Sequence, residues 1–279
     1  MPQSLLRHIA RCRNARLPGT RLRLWLGKTA VGWVTRETAA EIRAAAPGAR
    51  QDGTGLALSD AAAFEAMGEA IAARGLVRRR NEPFSVRASP DQPELARIDR
   101  GALPLLGIWS EGVHVNGLVR RADQPWLWVA ERAHQKLLDP GKLDHLVAGG
   151  LPAGLSAWDT LCKEAAEEAA IPPALARQAV AVGQTAYVME RPEGLRRDRL
   201  HYYDLWVPED FIPRAADGEV AGFSLWPLRR VLEAVRDTDA FKFNVTLVLI
   251  DLFLRFALVD PAGREGRRLR ALLDAPVAP

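Results

Sequence analysis

The stretch Gly149–Ile171, GGLPAGLSAWDTLCKEAAEEAAI, decides how this chain is read. A glycine-rich turn runs directly into a segment with the marks of a short helix. Ser156 stands where a helix amino-cap belongs, and Asp159 three residues on completes an S-x-x-D capping box. Asp159 also places negative charge in the first turn, where the helix dipole favours it. Ala157, Leu161, Ala165 and Ala169 recur with a period near 3.6 and form an apolar side. Pro172 and Pro173 stop the helix. The small alanines predict close packing against something flat, most naturally a sheet.

Glu164, Glu167 and Glu168 fall at i, i+3 and i+4 of this helix and therefore share a face. Like charges so placed repel by a few tenths of a kcal/mol per pair. The local sequence offers no obvious return, so a cation is the expected compensator. Hard divalent ions such as Mg²⁺ take oxygen ligands and commonly sit between carboxylates and substrate phosphates. A solvated acidic face on an ordinary surface helix is the plain alternative.

The spacing resembles the Nudix box, G-x5-E-x7-R-E-U-x-E-E-x-G-U, where U is a bulky apolar residue. Gly149 takes the place of the first glycine, Glu164-Ala165-Ala166-Glu167-Glu168 that of E-U-x-E-E, and Ile171 that of the last apolar residue. The resemblance implies a Nudix α/β/α sandwich with a mixed sheet, and a loop–helix–loop that binds metal and cuts a diphosphate linked to some other group. It implies Mg²⁺, with Mn²⁺ as a substitute, held by Glu164, Glu167 and Glu168, with Glu164 and Glu168 in catalytic roles. Three positions depart from the pattern: Leu155 replaces the first glutamate, Lys163 the arginine and Ala170 the final glycine. Leucine cannot accept a salt bridge, and lysine lacks the planar fork of arginine. Alanine in a left-handed helix terminus costs about 1 kcal/mol if that conformation is needed.

The flanking runs LWVAERAHQKLLDPGKLDHLVAGGLPAG, KEAAEEAAIP and YYDLWVPEDFIPRAADGEV are similar to Nudix proteins related to the hydrolase half of fungal thiamine pyrophosphokinase. That group carries an amino-terminal module. Its resemblance implies thiamine diphosphate, or the oxo and oxy analogues of thiamine diphosphate, as the substrate. ADP-ribose or another nucleoside diphosphate derivative is the alternative within the class, and a non-catalytic module binding a phosphorylated ligand is the alternative outside it. Around the box, the Gly149–Gly150 backbone can approach phosphate unhindered. Arg132 and Lys136 are candidate phosphate contacts, and Glu219, in D-G-E-V, is a candidate third catalytic carboxylate because related enzymes often supply one from a later loop. Tyr202, Tyr203, Trp206 and Trp226 could stack on a ring, although core packing is their commoner fate. Lys242 matches a lysine of the group, and His145 replaces its usual asparagine.

At 279 residues, 48% hydrophobic and 26% charged, the chain has the composition of a soluble globular protein with a sizeable core. No run of about 18 apolar residues appears, which argues against a membrane span. Early arginines without an apolar core and cleavage site leave secretion unsupported. With only Cys12 and Cys162, far apart, and five histidines in no ligand spacing, the reading is a reducing cytoplasm without zinc. Cys162 reads as a small buried filler. The net charge is +4, with arginines clustered at 78–80, 120–121, 196–199 and 267–270. No nucleic-acid motif accompanies them, so solvated loops are the expectation rather than a nucleic-acid partner.

The organisation read from the pattern is an amino-terminal α+β unit over 1–108, the hydrolase domain over 109–258 and a loosely held basic tail over 259–279. The first unit comprises a helix at Ser4–Asn14, a hairpin over Leu22–Val34 turning at Gly27-Lys28, and a helix at Thr35–Ala46. The turn-rich Pro47–Gly55, a strand at Leu56–Ser59 and a helix at Ala61–Gly75 follow. The second holds strands at Gly112–Arg120, Trp126–Glu131, Val180–Met189, Leu200–Val207 and Phe223–Pro227, the acidic helix, and helices at Leu228–Arg236 and Thr246–Phe256. The first unit could shape a substrate pocket or pair two copies of the chain.

Overall fold

Alternating apolar positions in Leu22–Val34 fold back on themselves as an antiparallel hairpin, β1 (Leu22–Leu26) and β2 (Thr29–Val34), with Gly27 supplying a positive φ of 56° at the turn. The computed structural model describes residues 4–53, 55–122, 124–216 and 218–277. A short helix α1 (Leu6–Cys12) precedes the hairpin, and α2 (Arg36–Ala45), capped by Thr35, follows it. Next come β3 (Arg50–Asp52), β4 (Gly55–Leu58) and α3 (Ala61–Ala73), whose amino end Asp60 caps. These strands form a sheet in the order β2-β1-β4-β3, with β1 and β4 parallel. A two-stranded ribbon, β5 (Pro83–Val86) and β6 (Ala96–Asp99), then leads through α4 (Leu103–Leu106) to the second half. One buried cluster running from Leu22 to Ile108 unites the elements that follow α1.

The large sheet is built from β7 (Trp109–Arg121), β8 (Gln124–Arg132), β9 (Leu143–Asp144), β10 (Val147–Gly150), β11 (Val180–Arg191), β12 (Gly194–Trp206) and β13 (Val220–Pro227). Its main path is β11-β12-β7-β8-β13, parallel only between β12 and β7. Helices α5 (Ala157–Ala169) and α6 (Pro173–Ala176) cover one face, where Leu161, Ala165, Ala169 and Ile171 meet Val113, Val115 and Leu205. Helices α7 (Leu228–Asp237), α8 (Val245–Arg255) and α9 (Arg264–Asp274) cover the other. The result is the expected α/β/α sandwich with a mixed sheet. Among the described residues, no helix is long and apolar enough to cross a membrane.

Three sequence expectations need correcting. The first helix does not pack with the 22–108 core. Leu5, Ile9 and Cys12 lie in the far core with Val235 and Phe243, and Cys12 Sγ donates to the Phe243 carbonyl at 3.3 Å. Amphipathic spacing shows that a helix has a buried side but not which core receives it. The last residues are not a loose tail either: α9 buries Leu269 and Leu273 in the same core, and Arg270 pairs with buried Asp251 at 2.7 Å. Finally, Gly149 and Gly150 belong to strand β10 rather than to a turn. Helix α8, read from the sequence at Thr246–Phe256, is buried along Val245–Leu254.

One feature of the sheet creates the site. Strand β7 pairs along Gly117–Arg121 with β8 but along Gly112–Val115 with β10, so its neighbours diverge midway. The chain from Leu143 to Gly150 crosses that fork, leaving β8 as β9 and joining β7 as β10. Among the described residues β10 pairs with β7 alone, so its outer edge is available to side chains.

Candidate active site

Helix α5 begins as the sequence dictates. The Ser156 hydroxyl oxygen accepts from the Asp159 amide at 3.1 Å, and Asp159 accepts in return from the Ser156 amide at 3.3 Å. It ends at Ala170 with φ 52° and ψ 37°, the left-handed terminus for which alanine is a strained choice. Between these ends the buried alanines let the helix lie close to β10, which aims two glutamates at the strand's free edge.

Glu168 is 6% exposed and accepts at Oε2 from the Ala148 amide at 2.9 Å. Burial pushes its carboxyl up to about 8, against the opposing pull of the Ala148 amide, and the nearby charges of Glu164 and Asp144 add to the rise. The Glu164 side chain is 12% exposed and packs on Gly149, where a Cβ would lie only 2.4 Å from Glu164 Cγ. Burial raises its carboxyl as well, partly offset by Lys163. The third glutamate separates from them. Glu167 is 49% exposed and is held by Lys163 Nζ at 2.6 Å, while the same ammonium reaches Glu164 Oε1 at 3.4 Å. Lys163 therefore does part of what an arginine would do here, bridging two of the acids without a fork.

A hard divalent ion fits this pair of acids. Glu164 and Glu168 offer carboxylate oxygens, and their raised pKa values mark a shortage of positive charge that a cation would relieve. Glu219 stands nearby in an ion pair with Lys136. Burial opposes its ionisation, but the bond to Lys136 outweighs that, and Arg100 and Arg132 contribute, so the carboxyl is held low. The charge of Lys136 also offsets, in small part, the rise at Glu168.

Arg132 is turned inward, contrary to its expected part in holding phosphate. Its Nη1 donates to Asp144 Oδ2 at 2.8 Å, and Nη2 donates to the Leu138 carbonyl at 2.8 Å. Asp144 lies at the fork of the sheet and also faces Lys242 Nζ at 3.5 Å. Burial works against its ionisation, yet Lys242 and Arg132 together hold it well below the usual carboxylate range. Beside it, His114 Nδ1 and His145 Nδ1 approach to 3.0 Å, so one ring must donate to the other. Burial lowers both imidazoles, His145 to about 4. His114, Asp144 and His145 have the proximity of a metal-ligand set, but Asp144 already carries two cations. A third would enter a cluster whose formal charge is already positive, which makes this a polar support beneath β10 and not the cation site.

The four aromatics weighed as ring-stacking candidates pack within the protein, the commoner fate named for them. Tyr202 is in the core with its hydroxyl on the Gln184 carbonyl, and Tyr203 packs edge-on against Trp158. Trp206 meets Phe256 and Trp226 meets Phe241. The arginine clusters are partly ion-paired, Arg121 with Glu209, Arg196 with Glu193, Arg199 with Asp91 and Glu111, whereas Arg197 is buried and donates from Nη1 to the Gly107 carbonyl at 3.1 Å. Cys162 is half-buried at the rim of the α5 core.

The sequence allowed the amino-terminal unit a part in shaping the site but did not point to the residues that reach it. Gly150 lies under Phe84 and Arg100, where a Cβ would sit 2.8 Å from Phe84 Cζ and 3.1 Å from Arg100 Cζ. Glu82, the Arg100 partner at 2.8 Å, adds its negative charge to those facing Glu164. No local pattern in Glu82–Arg100 signals this, because the segment reaches the site only through tertiary packing.

No family model matches the chain. Over 182 residues, 65% of its length, it is 44% identical to Nudix hydrolase 20, chloroplastic, of Arabidopsis thaliana, covering 49% of that protein. It is also 44% identical over 182 residues to Nudix hydrolase 24, chloroplastic, of the same plant, covering 50% of it. An uncharacterized protein of Saccharomyces cerevisiae is 30% identical over 201 residues, 67% of this chain and 58% of that one. The chain thus spans about half the length of the plant relatives it matches. Over the matched region it is a sequence relative of Nudix hydrolases.

Proposed function

We propose that this chain is a Nudix-type hydrolase that cleaves a diphosphate linkage with the help of Mg²⁺ or Mn²⁺. One observation carries the reading: Glu164 and Glu168, drawn in from solvent, converge on the free edge of a strand that ends in Gly149-Gly150. Glu164 and Glu168 would hold the cation, with Glu167 available once it leaves Lys163. A bound divalent ion would offset the charge of the diphosphate and acidify a water.

The chain's own residues have distinct parts in this reading. Glu168 is fixed at Oε2 by the Ala148 amide, so Oε1 is the oxygen that holds or releases a proton. Burial keeps that proton on the metal-free carboxyl, and a bound cation would draw it off, leaving a carboxylate to hold the ion. Glu164, braced by Gly149, keeps its carboxylate on the same edge. Lys136 would bring positive charge to the diphosphate while its partner Glu219 holds it in place. Phosphoryl transfer asks little more of a protein than such positioning and charge compensation.

Thiamine diphosphate and its oxo or oxy analogues are the substrates we would test first, on the likeness of the flanking sequence described above. ADP-ribose and other nucleoside diphosphate derivatives come next. The experiment is release of phosphate or monophosphate from that panel with Mg²⁺, with Glu168→Gln as control. Turnover confined to nucleotide sugars would reject the thiamine assignment, and turnover unaffected by Glu168→Gln would reject the site. One observation favours a second reading, a module that binds a phosphorylated ligand without cutting it: Lys163 already neutralises Glu167 and part of Glu164. Tight ligand binding with no turnover of any member of the panel would support it.

A further inference from the structure

We infer that Arg100, supplied by the amino-terminal unit, is a binding residue for the substrate's phosphate at Gly150. The inference rests on the diphosphate reading above and deepens it by naming a contact outside the acidic helix. Successive residues of a strand face opposite ways. Gly149 accordingly turns toward Glu164, and Gly150 toward Phe84 and Arg100, whose Nη2 would lie 3.2 Å from a Cβ there. The two glycines thus form a bare backbone edge with carboxylate on one side and guanidinium on the other.

Arg100 is held for such a role. Its Nη1 donates to Glu82 Oε2 at 2.8 Å, and its guanidinium carbon lies 5.6 Å from the centre of the Phe84 ring. Its side chain stays 48% exposed, so the fork can reach an incoming anion. Phe84 itself is buried in the amino-terminal core, and the Ala153 amide donates to the Pro83 carbonyl at 2.8 Å, which fastens this unit to the loop after β10. The charge of Arg100 is also felt at Glu219, the partner of Lys136. A planar fork matches two phosphate oxygens at once, which an ammonium does not. A diphosphate lying along the edge would meet the acids and their cation on one side and Arg100 on the other.

The test is calorimetric titration of the full chain with inorganic pyrophosphate and Mg²⁺, comparing the parent with Arg100→Gln and Arg100→Lys. A lost charge-assisted contact weakens binding on the order of tenfold or more. We expect that loss for Arg100→Gln and partial recovery for Arg100→Lys. The melting temperature should change little, because an exposed ion pair such as Glu82–Arg100 contributes little to stability. Equal affinity for parent and Arg100→Gln, no pyrophosphate binding by the parent, or a weakened variant that also melts far below the parent would each overturn the inference. Arg100-dependent binding by a protein that turns over no diphosphate would sink the hydrolase reading and leave this contact standing.

Discussion

Glu168→Gln should make the metal-free protein more stable at alkaline pH, and the size of the effect follows from the carboxyl's burial. The group's ordinary value is 4.5 and the folded value is about 8. Below the lower value both folded and unfolded chains carry the proton, and the group costs nothing. Between the two, the unfolded chain releases its proton while the folded chain retains it, so stability falls as pH rises, and it levels off above 8. At about 1.4 kcal/mol per pH unit, the fall across this window has a ceiling of about 5 kcal/mol. Glutamine resembles the protonated acid: its oxygen can accept from the Ala148 amide and it has no charge to bury. Thermal melts with a chelator at pH 5, 6.5 and 8 would show it. For a chain of this size each kcal/mol moves the midpoint by about 2 °C, so parent and variant should agree at pH 5 and separate by several degrees at pH 8, the variant melting higher. Parallel curves for the two proteins across that range would refute a buried, proton-holding Glu168. Added Mg²⁺ should raise the parent at pH 8 and leave the variant nearly unmoved, since only the parent has the carboxylate to ionise onto it.

Gly149→Ala should lower turnover and Mg²⁺ affinity by tenfold or more, because the added methyl displaces Glu164, and overpacking costs about 1–3 kcal/mol in stability; activity within twofold of the parent would contradict the close packing. Ala170→Gly should raise stability by about 1 kcal/mol, seen as a small upward shift of the melting midpoint, since glycine accepts the left-handed conformation freely. Asp144→Asn leaves Arg132 and Lys242 without their buried counter-charge and should cost about 3–5 kcal/mol in chemical denaturation. Removal of residues 264–279 strips Leu269 and Leu273 from the core and the Leu273 carbonyl from Thr185 Oγ1, so a loss of several kcal/mol is expected in the same assay.

Whatever was written locally could be read from the sequence. The capping box, the glutamate spacing and the stop at Pro172 all lie within about 20 residues, and each rests on backbone geometry alone. The alternating strands and the sandwich follow from periodicity for the same reason. What escaped reading depends on packing partners distant in sequence. Arg132 reads as a phosphate contact until Asp144 is brought beneath it, and His114 looks like an ordinary strand position until the sheet forks. Glycines 149 and 150 suggest a turn, yet they are needed because Glu164 and Arg100 press on the strand from either side. The closing basic segment looked unattached because its arginines mask the few leucines that α9 buries.

That α1 belongs to the far core changes the standing of the 22–108 unit. The polypeptide first lays a helix against Val235 and Phe243, then departs to build a separate sheet, then returns at Ile108. The unit is an insertion with both ends moored, not a lobe hanging from a single hinge. Two moorings remove most of the rotations that would let Glu82 and Arg100 wander from Gly150, so the register between this unit and β10 is set by the path of the chain itself.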